Sequence, residues 1–129
     1  MHNVKVFIGI IILISALFTF SLVSSHYLHQ SAQKLDYYIG IVERNSRSND
    51  WENAFNELTN LDNEWKNTSN IWAMLIDHAE IDNIEDSLIR MREYIKAKNS
   101  VLTLVELASL KQYISHIPEK ESFSIDNIL

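Results

Sequence analysis

His78 stands in the stretch WAMLIDHAEI, residues 72–81, with Asp77 and Glu80 beside it and Asp82 and Asp86 four and eight residues on. Histidine next to carboxylates is the combination used for general-base chemistry and for metal ligation. Base catalysis also needs a nucleophile and donors for a developing oxyanion. The chain has Gly 2 and no glycine-rich loop to supply backbone N–H groups, and no Ser or Thr stands in a recognisable nucleophile setting. Metal ligation needs three or four groups converging within about 2.0–2.3 Å of the ion. His78, Asp82 and Asp86 on one straight helix spread over about 12 Å, so they cannot converge. His78 and Asp82 are therefore weak metal candidates that need ligands from another element. The acidic segment 77–86 is expected to be a solvated face. The remaining reading of His78 is structural: a core histidine that gives one polar bond to a neighbouring helix.

Two other groups of residues could act. His26 and His29 are three apart, and histidine is the side chain used in pH sensors; interfacial side chains with no such role are the plainer reading. Trp51, Trp65 and Trp72 could form an aromatic binding surface, but aromatic residues at helix-stripe spacing are expected in the core. Trp65 and Trp72 flank a short polar stretch and are expected to pack on each other.

Composition narrows the classes further. Cys is 0, which removes disulfides, thiolate metal sites and thiol nucleophiles, and suits an exported chain. The net charge of −6 leaves no basic footprint for nucleic acid. With Gly 2 and Pro 1 the chain lacks the turn residues of a sheet or barrel, and 47% hydrophobic residues argue against disorder.

The elements that position these residues begin with Val6 to Val23, VFIGIIILISALFTFSLV, a run without charge. As a helix it spans about 27 Å, close to a hydrocarbon core of about 30 Å. A cleaved signal peptide is the rival, but its apolar region is usually shorter. Lys5 precedes the run and the next basic residue is Lys34, so residues 1–5 are expected in the cytoplasm and 24–129 outside. Leu28, Leu35 and Val42 then continue a helix over 24–47. NSRSND (45–50) marks a break, with Asp50 placed to cap the next helix. Trp51, Ala54, Phe55, Leu58, Leu61 and Trp65 give helical spacing over 51–65. KNTSN (66–70) is expected to be a connection. A helix of about 42 Å is expected from Ile71 to Lys98, with Ile71, Met74, Leu75, His78, Ile81, Ile84, Leu88, Met91 and Ile95 as its apolar stripe. Ser100 is placed to cap a last helix over 101–116, which Pro118 is expected to end. The tail 118–129 carries Phe123, Ile125, Ile128 and Leu129, which suggest docking on the bundle. The fold class is all-α: a membrane helix followed by an antiparallel bundle of three to four helices.

Trp51-x-x-Ala54, Trp65, Trp72, HAEI at 78–81, Tyr94-Ile95, ELASL at 106–110 and the ending FSIDNIL together resemble an uncharacterised bacterial family, domain of unknown function 4363. The resemblance implies a small membrane-associated protein of Gram-positive, often spore-forming bacteria. It carries no catalytic residue. The expectation is a non-enzymatic, single-pass membrane protein without cofactor, whose partners are the lipid bilayer and an envelope protein that it supports as an accessory or scaffold. The alternative is an extracytoplasmic sensor or cation-binding module using His78 and segment 77–86, with a pocket lined by His78 and a Trp.

Overall fold

Four helices carry the chain in a computed structural model that describes the backbone of residues 1–128 and the side chains of residues 1–120. They are α1 (His2–Arg47), α2 (Trp51–Leu75), α3 (His78–Lys96) and α4 (Ser100–Ile128). The first contains 46 residues, about 69 Å of helix. No break separates its apolar first half from its amphipathic second half. The window long and apolar enough to cross a bilayer lies in this helix and is 0% buried. From Leu28 onward the same helix forms one wall of the bundle.

Tight turns make each helix antiparallel to the next, and α1 closes the ring by packing against both α2 and α4. The buried positions explain the geometry. They are 28, 32, 35, 39, 42 and 46 on α1, and 54, 58, 61, 65, 68 and 72 on α2. On α3 they include 81, 84, 88, 91 and 95, and on α4 103, 107, 110, 114 and 117. Steps of four and three alternate throughout, a mean of 3.5 residues. That period keeps one seam facing the partner helices and gives the shallow, left-handed packing of four-helix bundles.

Three boundaries depart from expectation. The KNTSN stretch is helical: Thr68 is buried and its hydroxyl donates to the Glu64 carbonyl at 2.8 Å. Trp65 and Trp72 are seven apart, so only an unbroken helix puts both on the seam. The break lies instead at Ile76 and Asp77, both in extended backbone (ψ 169° and 140°), and the expected helix 71–98 is thereby split. The Asp77 carbonyl accepts from Glu80 N–H at 3.1 Å and Ile81 N–H at 3.4 Å, which starts α3. Asp77-x-x-Glu80 is the spacing of a capping box, although the Asp77 side chain makes no capping bond. At the far end, Asn99 rather than Ser100 caps α4: its Oδ1 accepts from Leu102 N–H at 3.0 Å. Pro118 lies inside α4 and does not end it. The ring removes one backbone donor, a cost that kinks a helix or breaks it; here the helix continues, and Ile114, Ile117 and Pro118 are all buried against the bundle. The side chains of Phe123, Ile125, Ile128 and Leu129 lie outside the described residues, so the docking of the tail does too. The Asp50 cap is as expected, accepting from Asn53 N–H at 3.3 Å.

Each of the four seams also carries at least one cross-helix ion pair, and the α3–α4 seam has a second, longer one, Lys120–Glu80 (4.0 Å). Lys34–Glu64 (3.2 Å) joins α1 to α2, Arg92–Asp62 (2.8 Å) α3 to α2, Arg90–Glu106 (2.9 Å) α3 to α4, and Lys111–Asp36 (3.9 Å) α4 to α1. Their cations are partly exposed, so they specify which helix faces which more than they add stability.

Candidate functional site

The two central tryptophans are set by the α2 seam. Trp65 and Trp72 are buried, with ring centroids 5.6 Å apart and planes at 82°. This edge-to-face contact is worth about 0.5–1.5 kcal/mol beyond burial. Trp72 Nε1 donates to Ser31 Oγ at 2.7 Å, and Ser31 Oγ donates to the Tyr27 carbonyl at 2.7 Å. This chain of bonds ties the last turns of α2 to α1. Trp65 Nε1 is buried without a partner among the described residues, as are Ser87 Oγ and Thr103 Oγ1. The expected pairing of Trp65 with Trp72 is present, but inside one helix and not across a turn. Trp51 is half-buried at the start of α2, beside Phe55, and lines a shallow groove at the opposite end of the bundle.

His78 is in a different place from the one expected. It opens α3 on the turn, and its side chain is exposed. The stripe that was expected to include it is interrupted by the break at 76–77, so the heptad of α3 begins at Ile81. Asp82 and Asp86 are exposed on the same helix, and no group of three or more metal-ligating side chains gathers among the described residues. His26 is exposed, and His29 Nδ1 lies 2.8 Å from the Ser25 carbonyl in its own helix. A groove of about 260 Å³ between α1 and α4 is lined by His29, Gln33, Asp36, Ile114 and Glu119, among others. A second of about 260 Å³, between α2 and α3, is lined by Asp62, Trp65, Glu85 and Arg92, among others. His78 lines neither groove, nor the one beside Trp51.

Sequence reasoning missed the polar residues that the bundle buries. Glu106 is only 8% exposed and accepts from Arg90 Nε and Nη2 at 3.1 and 2.9 Å. The hydrogen bond to Glu106 raises the Arg90 pKa above its ordinary value, the mark of a charge-assisted pair. A signal existed: Glu106 sits three after Thr103 and next to Leu107, on the seam side of α4, where a lone carboxylate needs a partner.

The model of one family, Domain of unknown function (DUF4363), matches residues 22–128. The chain belongs to this family. No curated protein and no solved structure matches it. The DUF4363 match begins where the apolar run of α1 ends, so it covers the bundle and not the first half of α1. The motif residues of the resemblance lie inside it, Leu129 excepted, and those with described side chains divide by task. Ala54, Trp65, Trp72, Ile81, Ile95, Leu107 and Leu110 fill seam positions, Glu106 pairs with Arg90, and Glu80 stands at the α3 start. His78 and Ala79 are exposed beside the α2–α3 turn.

Proposed function

We propose that this DUF4363 chain is a non-enzymatic, single-pass membrane protein whose bundle braces an envelope protein, with residues 1–5 in the cytoplasm and the bundle outside. The observation that carries the reading is the continuity of α1. One unbroken helix passes from an apolar segment that is 0% buried to a bundle wall whose seam residues, such as Leu35 and Val42, are 0% exposed. A run of 18 uncharged residues, 0% buried in the bundle, suits lipid contact, and an unbroken helix transmits the bundle's position rigidly to its anchor. The orientation rests on Lys5 flanking the run and on the absence of a basic residue between it and Lys34. A partner surface is supported by the first turns of α4, where Val101, Leu102 and Val105 face outward and are 69%, 41% and 59% exposed. An apolar face on the outside of a closed bundle is characteristic of an interaction site. The alternative, a sensor built on His78 and segment 77–86, has no comparable observation in its favour.

The test uses the cysteine-free chain. Asn49→Cys in intact cells should react with a membrane-impermeant thiol reagent, whereas a cysteine at position 2 should react only after lysis. Crosslinking in native membranes should capture one specific membrane protein, and Val105→Arg should abolish the capture without unfolding the bundle. Labelling of position 2 alone in intact cells would reverse the orientation. An empty capture from correctly inserted protein would overturn the accessory role.

A further inference from the structure

The outer face of α2 carries a pattern that the fold does not require. Asn53, Asn56, Asn60, Asn63, Asn67 and Asn70 follow one another in alternating steps of three and four, and all of them are exposed. The spacing is that of a heptad seam, yet the row lies on the side of the helix away from the buried positions 54, 58, 61, 65, 68 and 72. The other helices do not share it. Among exposed positions α3 has one asparagine, Asn83, and there is none on α1 from Leu28 onward or among the described side chains of α4. Asparagine is a poor helix former, because its side chain competes for backbone groups. Glu, Lys or Gln would solvate the same face and favour the helix, so the row works against the element that presents it.

What the row offers is chemically uniform. Each amide has two donors and a carbonyl acceptor and carries no charge. Asn53 Nδ2 donates to Asp50 Oδ2 at 2.7 Å, and Asn60 Nδ2 lies 3.4 Å from Glu57 Oε2; the other amides face solvent. Successive amides are about 5 Å apart along the axis, and the row is about 26 Å long. At the start of α2 it meets the groove of about 560 Å³ that Trp51, Phe55 and Asn56 line. Asn56 belongs to both. The acids of this groove, Asp50 and Glu52, are matched by Lys96 and Lys98, so it favours neither sign of charge. Both aromatic side chains are only partly buried.

These features select among ligands. A nucleic acid needs a basic face, and a partner helix needs apolar side chains along the seam; the row has neither. A neutral glycan fits it. Sugar hydroxyls both donate and accept, as amides do, and the C–H faces of sugar rings stack on aromatic side chains. We propose that this face of α2 binds a neutral glycan chain, with one sugar ring against Trp51 and Phe55 in the groove and the following sugars hydrogen-bonded along the asparagine row. α2 is diagonal to α4 in the ring, since each packs on α1 and α3, so the exposed apolar face of α4 stays open. Binding does not depend on the membrane reading. Its use does: a bundle outside the membrane would be held to envelope polysaccharide as well as to its anchor.

The experiment uses the full-length chain in micelles of a sugar-free polyoxyethylene detergent, titrated calorimetrically with cellohexaose and with chitohexaose. The expected result is saturable binding of at least one of these neutral hexasaccharides. Trp51→Ala should weaken it by about tenfold or more, as for a central aromatic contact. Asn63→Ala with Asn67→Ala should weaken it several-fold without lowering the melting temperature, because both positions are exposed and alanine is the better helix former. The double variant keeps the test valid if Trp51→Ala disturbs the fold. Heat from neither hexasaccharide would overturn the glycan site and leave the accessory role standing, since that role is read from crosslinking in native membranes. Affinity unchanged in the double variant would also overturn it. A dimer that dissociates in the double variant, with no sugar bound by the parent chain, would assign the row to a second copy instead.

Discussion

The two halves of α1 are built largely from the same apolar residue types and end in opposite surroundings. In residues 6–23 these residues point in every direction, and Phe7, Leu17 and Phe20 are exposed by 64%, 61% and 64%. In residues 28–46 they fall on alternating steps of four and three, and Leu28, Leu35, Ile39 and Val42 are exposed by no more than 1%. Angular distribution, and not hydrophobicity as such, decides whether a helix segment is covered by neighbouring helices or left for another apolar medium. Because the helix is unbroken, the difference cannot come from a domain boundary. It comes from where α2 and α4 can reach, and that is set by the length of the hairpins and the cap residues Asp50 and Asn99.

The largest expected effect comes from making the same substitution in both halves. Leu35→Ala should destabilise the bundle by about 2–5 kcal/mol, the range for a fully buried leucine. Leu17→Ala should change bundle stability by less than about 0.5 kcal/mol, as for a residue outside the core. Chemical denaturation of the full chain in detergent micelles, followed by tryptophan fluorescence, measures both, since Trp65 and Trp72 are buried in the core. Equal losses would mean that the apolar half packs on the bundle. Leu17→Arg sharpens the contrast from the other side. An arginine at the centre of a span costs about 2.5–3.5 kcal/mol on insertion scales, so the membrane-bound fraction should fall while the denaturation curve of the recovered protein stays unchanged.

How far this was legible in the sequence follows from the same contrast. The all-α class and the apolar run could be read because they depend on composition and on a long uniform pattern. The heptads were harder to see, because small polar residues occupy several of their positions. Ser46 and Thr68 interrupt an apolar stripe when read by hydrophobicity, yet both are buried and satisfied by the carbonyl four residues back, Val42 at 2.8 Å and Glu64 at 2.8 Å. KNTSN reads as a loop by polarity, which puts the break at 66–70 and His78 on the stripe of a single helix 71–98; the burial of Thr68 keeps α2 unbroken to Leu75. The Asp77-x-x-Glu80 spacing was the local sign of the true boundary. The Arg90–Glu106 and Arg92–Asp62 pairs join residues 16 and 30 apart, a relation that exists only once the hairpins are formed.

Polar seam positions differ among themselves, which gives a smaller effect. Ser46 is satisfied, but Thr103 Oγ1 is buried on the α4 seam without a partner among the described residues. An unpaired buried hydroxyl costs about 1–3 kcal/mol relative to one that is bonded or absent. Thr103→Val keeps the shape and removes the hydroxyl, so it should stabilise the bundle by about 1 kcal/mol in the same denaturation experiment. Ser46→Val should not stabilise, because it discards a bond that is made and adds volume to a filled seam. A loss of stability in Thr103→Val would show that the hydroxyl has a partner in solution.

The smallest effect is the most direct comparison of the two halves, because each contains one glycine in the same helix. A Cβ built at Gly9 or at Gly40 meets nothing within 4 Å. Neither glycine is needed for a turn or a close approach, and alanine should fit at both. Glycine within a helix is less favourable than alanine by about 0.5–1 kcal/mol. Gly40 lies in the segment that folds and unfolds with the bundle, between the buried Ile39 and Val42. Gly40→Ala should therefore raise bundle stability by up to about 1 kcal/mol. Gly9→Ala should leave it unchanged, since a span held in an apolar medium keeps its backbone hydrogen bonds when the bundle opens. If both substitutions stabilised the bundle equally, the apolar half of α1 would be melting with the rest, and the helix would act as one cooperative unit from end to end.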